Sequence, residues 1–341
     1  MWSNDVVTEF TNLHPALTCF WHPVATSDSV SDTPFGVELA GQRWALVRLD
    51  GAVAAFADQC PHRRARLSAG SIVNETLQCR YHGWRYTGSG ACVEIPALGP
   101  QASIPARARL TPAAHVTEAD GLIWLAPQEP RAPCPSLQPP PIDSHDVATI
   151  HLPVMRVDAN AALLIDNFLD EAHLPFVHKA TIGGAGPEEI PRADVDRKGL
   201  SFTAIRMHEF TNRTDPAVIA GERPAVQQRR MTYSYTAPLH ATLLLEMLDA
   251  GDWQYLTFTV SPVNATSCVV YQTLTGPCLT DPVAAKAAAE YEMSIFEEDL
   301  DLQRSALQGL EFPLEIETEL HTRADRVCVE FRRVLADAVR Y

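Results

Sequence analysis

Two short stretches decide the fold: Cys60-Pro61-His62-Arg63 and, after a gap of fifteen residues, Cys79-Arg80-Tyr81-His82-Gly83-Trp84. Each sets one thiol and one imidazole in a tight loop beside a β-prone segment, so two loops aim four ligands at one place. Two thiolates and two neutral imidazoles suit either a tetrahedral zinc ion or a two-iron cluster with cysteines on one iron and histidines on the other. Zinc sites of this composition usually take two closely spaced cysteines and then two histidines. Here each loop contributes one of each, which favours the cluster.

The flanking sequence reads as short strands. Arg43 to Leu49 and Ala52 to Ala57 surround Asp50-Gly51, a strong hairpin signal. Thr76 to Thr87 and Ala91 to Ile95 flank the turn Gly88-Ser89-Gly90, and Gly121 to Ala126 is a buried strand. Seven of the 26 prolines then fall between Pro127 and Pro141, an extended linker. The expected domains are 1–135, with the linker starting at about 127, and 142–341. In the second, Ala159 to Phe176 reads as a helix. The strands Leu200–Phe210, Gln228–Thr236, Ala241–Leu248, Trp253–Val260 and Ser267–Leu274 follow it. Asp281-Pro282 caps a long helix to about Leu307, and a last helix runs from about Arg323 to the end. Strands followed by helices point to an α+β class with an antiparallel sheet. The glycine cluster Gly183-Gly184-Ala185-Gly186 follows no strand and makes a poor dinucleotide loop.

The 341 residues carry 27 basic and 42 acidic side chains, a formal charge of −15, with 46% apolar and 20% charged residues. That composition is globular, with room for two domains. The acidity argues against nucleic acid, and no run of 18 apolar residues argues for a membrane span. The first twenty residues hold no Lys or Arg and so lack a secretory n-region, which leaves the cytoplasm as the expected location. Against this charge, Arg63, Arg64, Arg66, Arg80 and Arg85 face only Glu75 between the two loops, a basic island suited to an acidic electron donor.

A second constellation is Asp166-Asn167-Phe168-Leu169-Asp170-Glu171-Ala172-His173, with Pro175 and His178 just beyond. Asp166, Asp170 and His173 are spaced i, i+4, i+7 and are expected on one helix face. Pro175 is expected to end the helix and swing His178 back toward His173. Two histidines and one carboxylate form the facial triad of non-heme Fe(II) oxygenases.

The cysteine–histidine loops resemble those of the Rieske family, with Arg66 departing from a proline common in relatives. The pattern Asp-Asn-x-x-Asp-x-x-His-x-x-x-x-His resembles the mononuclear-iron motif of Rieske oxygenases in their monooxygenase and demethylase branch. The resemblance implies Cys60, His62, Cys79 and His82 as [2Fe–2S] ligands, and His173 and His178 as iron ligands. It implies Asn167 as a polar residue beside the iron, and Asp170 as a bridge to His82 of a neighbouring subunit. Phe296-Glu297-Glu298-Asp299 resembles the family's Phe-x-Glu-Asp, making Asp299 the third ligand, with Glu298 and Asp301 as competitors. Phe312-Pro313-Leu314-Glu315-Ile316 and Arg332-Arg333 also look like this branch.

The implied fold is an antiparallel-β Rieske domain followed by a helix-grip catalytic domain. The implied enzyme is a terminal oxygenase, a homotrimer that hydroxylates or O- or N-demethylates a small aromatic or heterocyclic molecule. It would use O2 and electrons from a separate NAD(P)H-dependent reductase or ferredoxin. A ring-dihydroxylating arene dioxygenase, a Rieske-type electron carrier and a zinc-stabilised binding module are the alternatives.

The remaining candidates read as packing or surface. Cys19, Cys92, Cys134, Cys268, Cys278 and Cys328 are small hydrophobes. His14, His22, His115, His145, His151 and His321 are expected in solvated turns. His208, His240, Arg206, Glu246, Met247 and Trp253 lie on or beside strands and either line a cavity or pack in the core.

Overall fold

A computed structural model describes residues 8–142, 146–179, 181, 189–211 and 216–340. His145 and the Gly183–Gly186 cluster lie outside the described residues. The chain divides into two compact units. One comprises Pro15–Ser136 with Val263–Ala265, and the other holds the remaining described residues. Residues 8–14 therefore belong with the second unit, where Glu9–Phe10 pairs with Phe312–Pro313.

The first unit holds three small antiparallel sheets. In the hairpin Gln42–Leu49/Ala52–Ala57, Asp50 and Gly51 both take positive φ (49° and 76°), as a two-residue primed turn requires. The expected strand Thr76–Thr87 is instead two short ones, Thr76–Gln78 and Arg85–Tyr86, that pair with each other. The loop between them, 79–84, is spent on ligands rather than ladder. Leu77, Tyr86 and Phe56 are fully buried beneath it.

The second unit is an eight-stranded antiparallel sheet. Its order is Ala148–His151, Cys268–Gly276, Asp252–Pro262, His240–Met247, Val226–Thr236, Ser201–Thr211 and Asp194–Lys198, with Met155–Val157 also on Cys268–Gly276. The five long strands match the expected ones to within about three residues at each end; 148–151, 155–157 and 194–198 were not anticipated. The helices are α1 (Ala161–Leu169), α2 (Leu174–Val177), α3 (Pro216–Ile219), α4 (Pro282–Ser305) and α5 (Arg326–Val339). Asp281 accepts from the Val283 N–H at 3.0 Å and Pro282 opens α4, as the capping signal predicts. Among the described residues no helix is long and apolar enough to cross a membrane.

The single helix expected over 159–176 is broken. It stops at Leu169, because Asp170 is extended (φ −85°, ψ 127°) and turns its side chain to accept from the Ala172 N–H at 2.8 Å. Pro175 is not the breaker; it sits in the first turn of α2, where a missing N–H costs nothing.

His14 and His22 are buried rather than solvated, at 7% and 1% exposure. Burial pushes His22 down to about 4, leaving it neutral beside the Leu17 carbonyl at 2.9 Å. The unfolded chain therefore takes up this proton first, and His22 costs stability as pH falls from about 6.5 to about 4. His22→Gln should reduce the slope of unfolding free energy against pH in that window by about one proton, measured by urea titration. An unchanged slope would refute the assignment.

Candidate metal centres

The two cysteine loops share one backbone plan. Cys60 N–H donates to the Ala65 carbonyl and Cys79 N–H to that of Trp84, at 2.9 and 2.8 Å. The Arg64 and Gly83 N–H groups close back onto the carbonyls of Cys60 and Cys79, both at 2.9 Å. Arg64 and Gly83, the matching positions, both take positive φ (57° and 71°). Each loop buries its thiol, at 2% exposure for both cysteines, and carries its imidazole outward; His82 is exposed and His62 half-buried.

The thiols of Cys60 and Cys79 lie within hydrogen-bonding reach of each other, and burial raises the Cys79 thiol. The rings of His62 and His82 meet 4.4 Å apart, with His62 stacked on Trp84 at 4.6 Å. Tetrahedral zinc would gather all four donors around one point. Among the described residues, however, the only three such donors within 4.8 Å of one another are elsewhere in the chain. Thiols paired inside and imidazoles paired outside fit a two-iron cluster. The Tyr86 hydroxyl lies 3.2 Å from Cys60 Sγ, and burial keeps it protonated. Hydrogen bonds to cluster sulfur raise the potential, so Tyr86→Phe should lower it in voltammetry of the reconstituted protein.

The trio within 4.8 Å is His173, His178 and Asp299. His173 caps the start of α2, His178 its end, and Asp299 projects from α4. His173 Nε2 lies 3.1 Å from His178 Nε2 and 3.4 Å from Asp299 Oδ1; His178 Nε2 lies 3.1 Å from that same oxygen. Three donors about 2.1 Å from a metal and at right angles stand about 3.0 Å apart, so these distances suit one face of an octahedron.

The outer ring nitrogens are taken by carboxylates. His173 Nδ1 is 3.3 Å from Asp170 Oδ2, and His178 Nδ1 is 2.8 Å from Glu298 Oε2, which also accepts from Thr181. An Nδ1–H given to each carboxylate turns both Nε2 lone pairs inward toward the Asp299 oxygen, a cluster that calls for a cation. The ionisation equilibria agree. Burial opposes charge on His173, yet hydrogen bonds to Asp170 and Asp299 outweigh it and push it up to about 9. His178 rises for the same reason, against its own burial, and Asp299 is lowered by the two histidines.

These donors open onto a cavity of about 150 Å³. Alternate residues of adjacent strands form its sheet wall. Arg229, Met231 and Tyr233 come from one strand, with Leu245 opposite Met231 and Leu243 opposite Tyr233. Gln254, Leu256 and Phe258 follow, and Gln272 lies opposite Phe258. Asn167 and Phe168 of α1 and Glu292, Ile295, Phe296 and Asp299 of α4, at i, i+3, i+4 and i+7, complete it. A cavity of this volume admits about one aromatic ring.

Residues 157–341, more than half the chain, match the vanillate O-demethylase oxygenase C-terminal domain. The chain belongs to that family. Residues 20–105 match the Rieske [2Fe-2S] domain. The chain is 28% identical over 337 residues to methylxanthine N3-demethylase NdmB of Pseudomonas putida, covering 92% of this chain and 87% of that one. It is 37% identical over 168 residues to the oxygenase component of dicamba O-demethylase from Stenotrophomonas maltophilia, covering 47% of each chain. Its fold matches the structure of Pseudomonas putida CBB5 NdmA with caffeine, at a TM-score of 0.76 and 24% identity over 96% of each chain. It is a Rieske oxygenase of α+β class, an oxidoreductase whose cofactors are a [2Fe–2S] cluster and a mononuclear iron.

Within this family frame the structure corrects several residue-level expectations. Asp166, Asp170 and His173 do not share a helix face, because α1 ends before Asp170. Asp166 turns instead to a two-pronged pair with Arg332, at 2.5 and 3.1 Å. Of the competitors to Asp299, Asp301 is exposed and Glu298 sits on the outer nitrogen of His178. Asn167 Nδ2 lies 3.3 Å from His173 Nε2. None of His208, His240, Arg206, Glu246, Met247 and Trp253 lines the cavity. Glu298 as an orienting group was missed, although a carboxylate next to a ligand position was the available signal. Glu298→Gln should weaken iron retention about 10- to 100-fold, measured by competition with a chelator.

Proposed function

We propose that this oxygenase is the terminal component of a multicomponent monooxygenase that demethylates or hydroxylates a molecule of about one ring. The observation that carries the reading is the meeting of His173 Nε2, His178 Nε2 and Asp299 Oδ1 at the wall of a largely apolar cavity of that size. In this reading those three residues hold the iron, and Cys60, His62, Cys79 and His82 hold the cluster. When bound, the cluster supplies single electrons and the iron a centre for reductive activation of O2.

The chain's own residues do the rest. Asp170 and Glu298 hold the ligand imidazoles in the tautomer that frees Nε2. Asn167 offers an amide beside His173. Phe168, Leu243, Leu256 and Phe258 exclude water and align a flat molecule against the sheet.

In the assembled enzyme, a homotrimer, Asp170 bridges to His82 of a neighbouring subunit. The exposure of His82 and the partly exposed Asp170 carboxylate support this. Arg63, Arg64, Arg66 and Arg80 are all exposed and form the docking patch for an acidic reductase or ferredoxin that draws on NAD(P)H. Arg85 leaves the patch, since it pairs with Glu94. All eight cysteines are free, which supports a reducing, cytoplasmic setting.

The test is turnover of reconstituted protein with a reductase, NADH and labelled O2 over a panel of methoxyarenes and N-methyl heterocycles. The expected result is one formaldehyde per NADH, with no more than one labelled oxygen entering the organic product. Two labelled atoms in a cis-diol would instead make it a dioxygenase. Sustained turnover without reductase would remove the separate partner.

A further inference from the structure

Two charged side chains line the cavity away from the metal donors, Arg229 on the sheet and Glu292 on α4. They are not equivalent. The Arg229 Nε–H donates to His208 Nε2 at 3.1 Å, its guanidinium lies over the Phe210 ring at 5.1 Å, and its charge is balanced by nearby Glu171. Glu292 has no hydrogen-bond or ion-pair partner among the described residues. Burial alone acts on it and pushes its carboxyl up to about 7. A second cavity group is also unsatisfied: Gln272 is 9% exposed and its amide Nε2 has no partner. A part-buried carboxylate and a buried, unpaired amide facing one binding cavity are groups that a ligand can complete.

We propose that Glu292 is the specificity residue of this cavity and takes the ammonium group of a small organic amine, with Gln272 donating to a neutral acceptor on the same molecule. The inference rests on the reading of the cavity as the substrate site. Glu292 lies seven residues before Asp299 on one face of α4, a separation of about 10 Å along the helix. The ammonium is therefore remote from the metal-facing end, and the carbon that reacts is at the other end of the molecule. A ring with a methoxy group at one end and an aminomethyl group at the other spans that distance. A carboxylate at the aminomethyl position would meet Glu292 and be repelled.

Binding distinguishes this from the oxygenase reading. The probes are 4-methoxybenzylamine, its neutral isostere 4-ethylanisole, and 4-methoxybenzoate, titrated by calorimetry into the iron-loaded, oxidised protein, with formaldehyde release measured separately. The expected result is that the amine binds at least about tenfold more tightly than 4-ethylanisole, and that Glu292→Gln brings the two within about twofold. Three results would overturn the proposal: failure of the amine to bind, tighter binding of 4-methoxybenzoate, or an amine preference that survives in Glu292→Gln. Because the ratio of two probes is read within one protein, a partly unfolded variant does not imitate the loss. Amine binding with no formaldehyde from any probe would leave Glu292 assigned and count against the oxygenase reading alone.

Discussion

Asp299→Ala should give a protein with an unaltered cluster spectrum and oxygenation at background. The reason is geometric. The Asp299 oxygen is the third vertex facing both imidazoles, at 3.4 and 3.1 Å, and among the described residues it is the one carboxylate grouped with both Nε2 atoms. Glu298, one residue away, is turned to the opposite nitrogen of His178 and cannot replace it without freeing that ring. Iron analysis should show the cluster's iron retained and the mononuclear iron lost. The proposed cluster ligands and the proposed iron ligands belong to different compact units, so the two contents are expected to separate cleanly. An Asp299→Ala protein that keeps both iron content and turnover would refute the assignment, and His173→Ala provides an independent repeat.

The largest loss of stability should follow Arg206→Met. Arg206 and Glu171 form an ion pair at 2.9 Å with side-chain exposures of 2% and 1%. Burial raises the Glu171 carboxyl, and Arg206 is the main influence holding it down. Removing one partner of such a pair strands the other and costs about 3–5 kcal/mol, whereas replacing both by apolar groups is often close to neutral. Arg206→Met is therefore expected to lower unfolding free energy by that amount in a urea titration, and Glu171→Leu/Arg206→Met to recover most of it. Equal losses in the single and double variants would show that packing, not charge, is responsible. Glu171 lies between Asp170 and His173, so the single variant should also loosen iron retention. The pair anchors the irregular stretch that presents the first histidine.

The Rieske loops were legible because their chemistry is local. The four proposed ligands fall within 23 residues, and each loop is closed by its own backbone. The choice of Asp299 as the proposed third metal donor rests on resemblance alone in the sequence, since nothing among the four acids between 297 and 301 says which one faces inward.

The cavity wall was not legible, for a physical reason. The central strands are covered on both faces: Thr257, Thr259, Thr273 and Thr275 are as buried as their apolar neighbours. Without a solvated face, the alternation that identifies the inner side is absent. Leu245 and Gln254 line the cavity, while Glu246 and Trp253, one residue away on the same strands, take the other face, with Trp253 buried in the core. The break at Asp170 escaped notice because its cause is a side chain bonding its own backbone, a competition that apolar periodicity does not record.

The position of Asp299 and Glu292 on one helix has a regiochemical consequence. A single rigid rod carries both the metal donor and the proposed amine contact, so α4 acts as a ruler. Between two chemically equivalent methyl groups on one molecule, the enzyme chooses by distance from the nitrogen rather than by reactivity. Moving the acid one helical turn along the rod would shift the oxidised carbon by about 5.4 Å and leave the metal untouched.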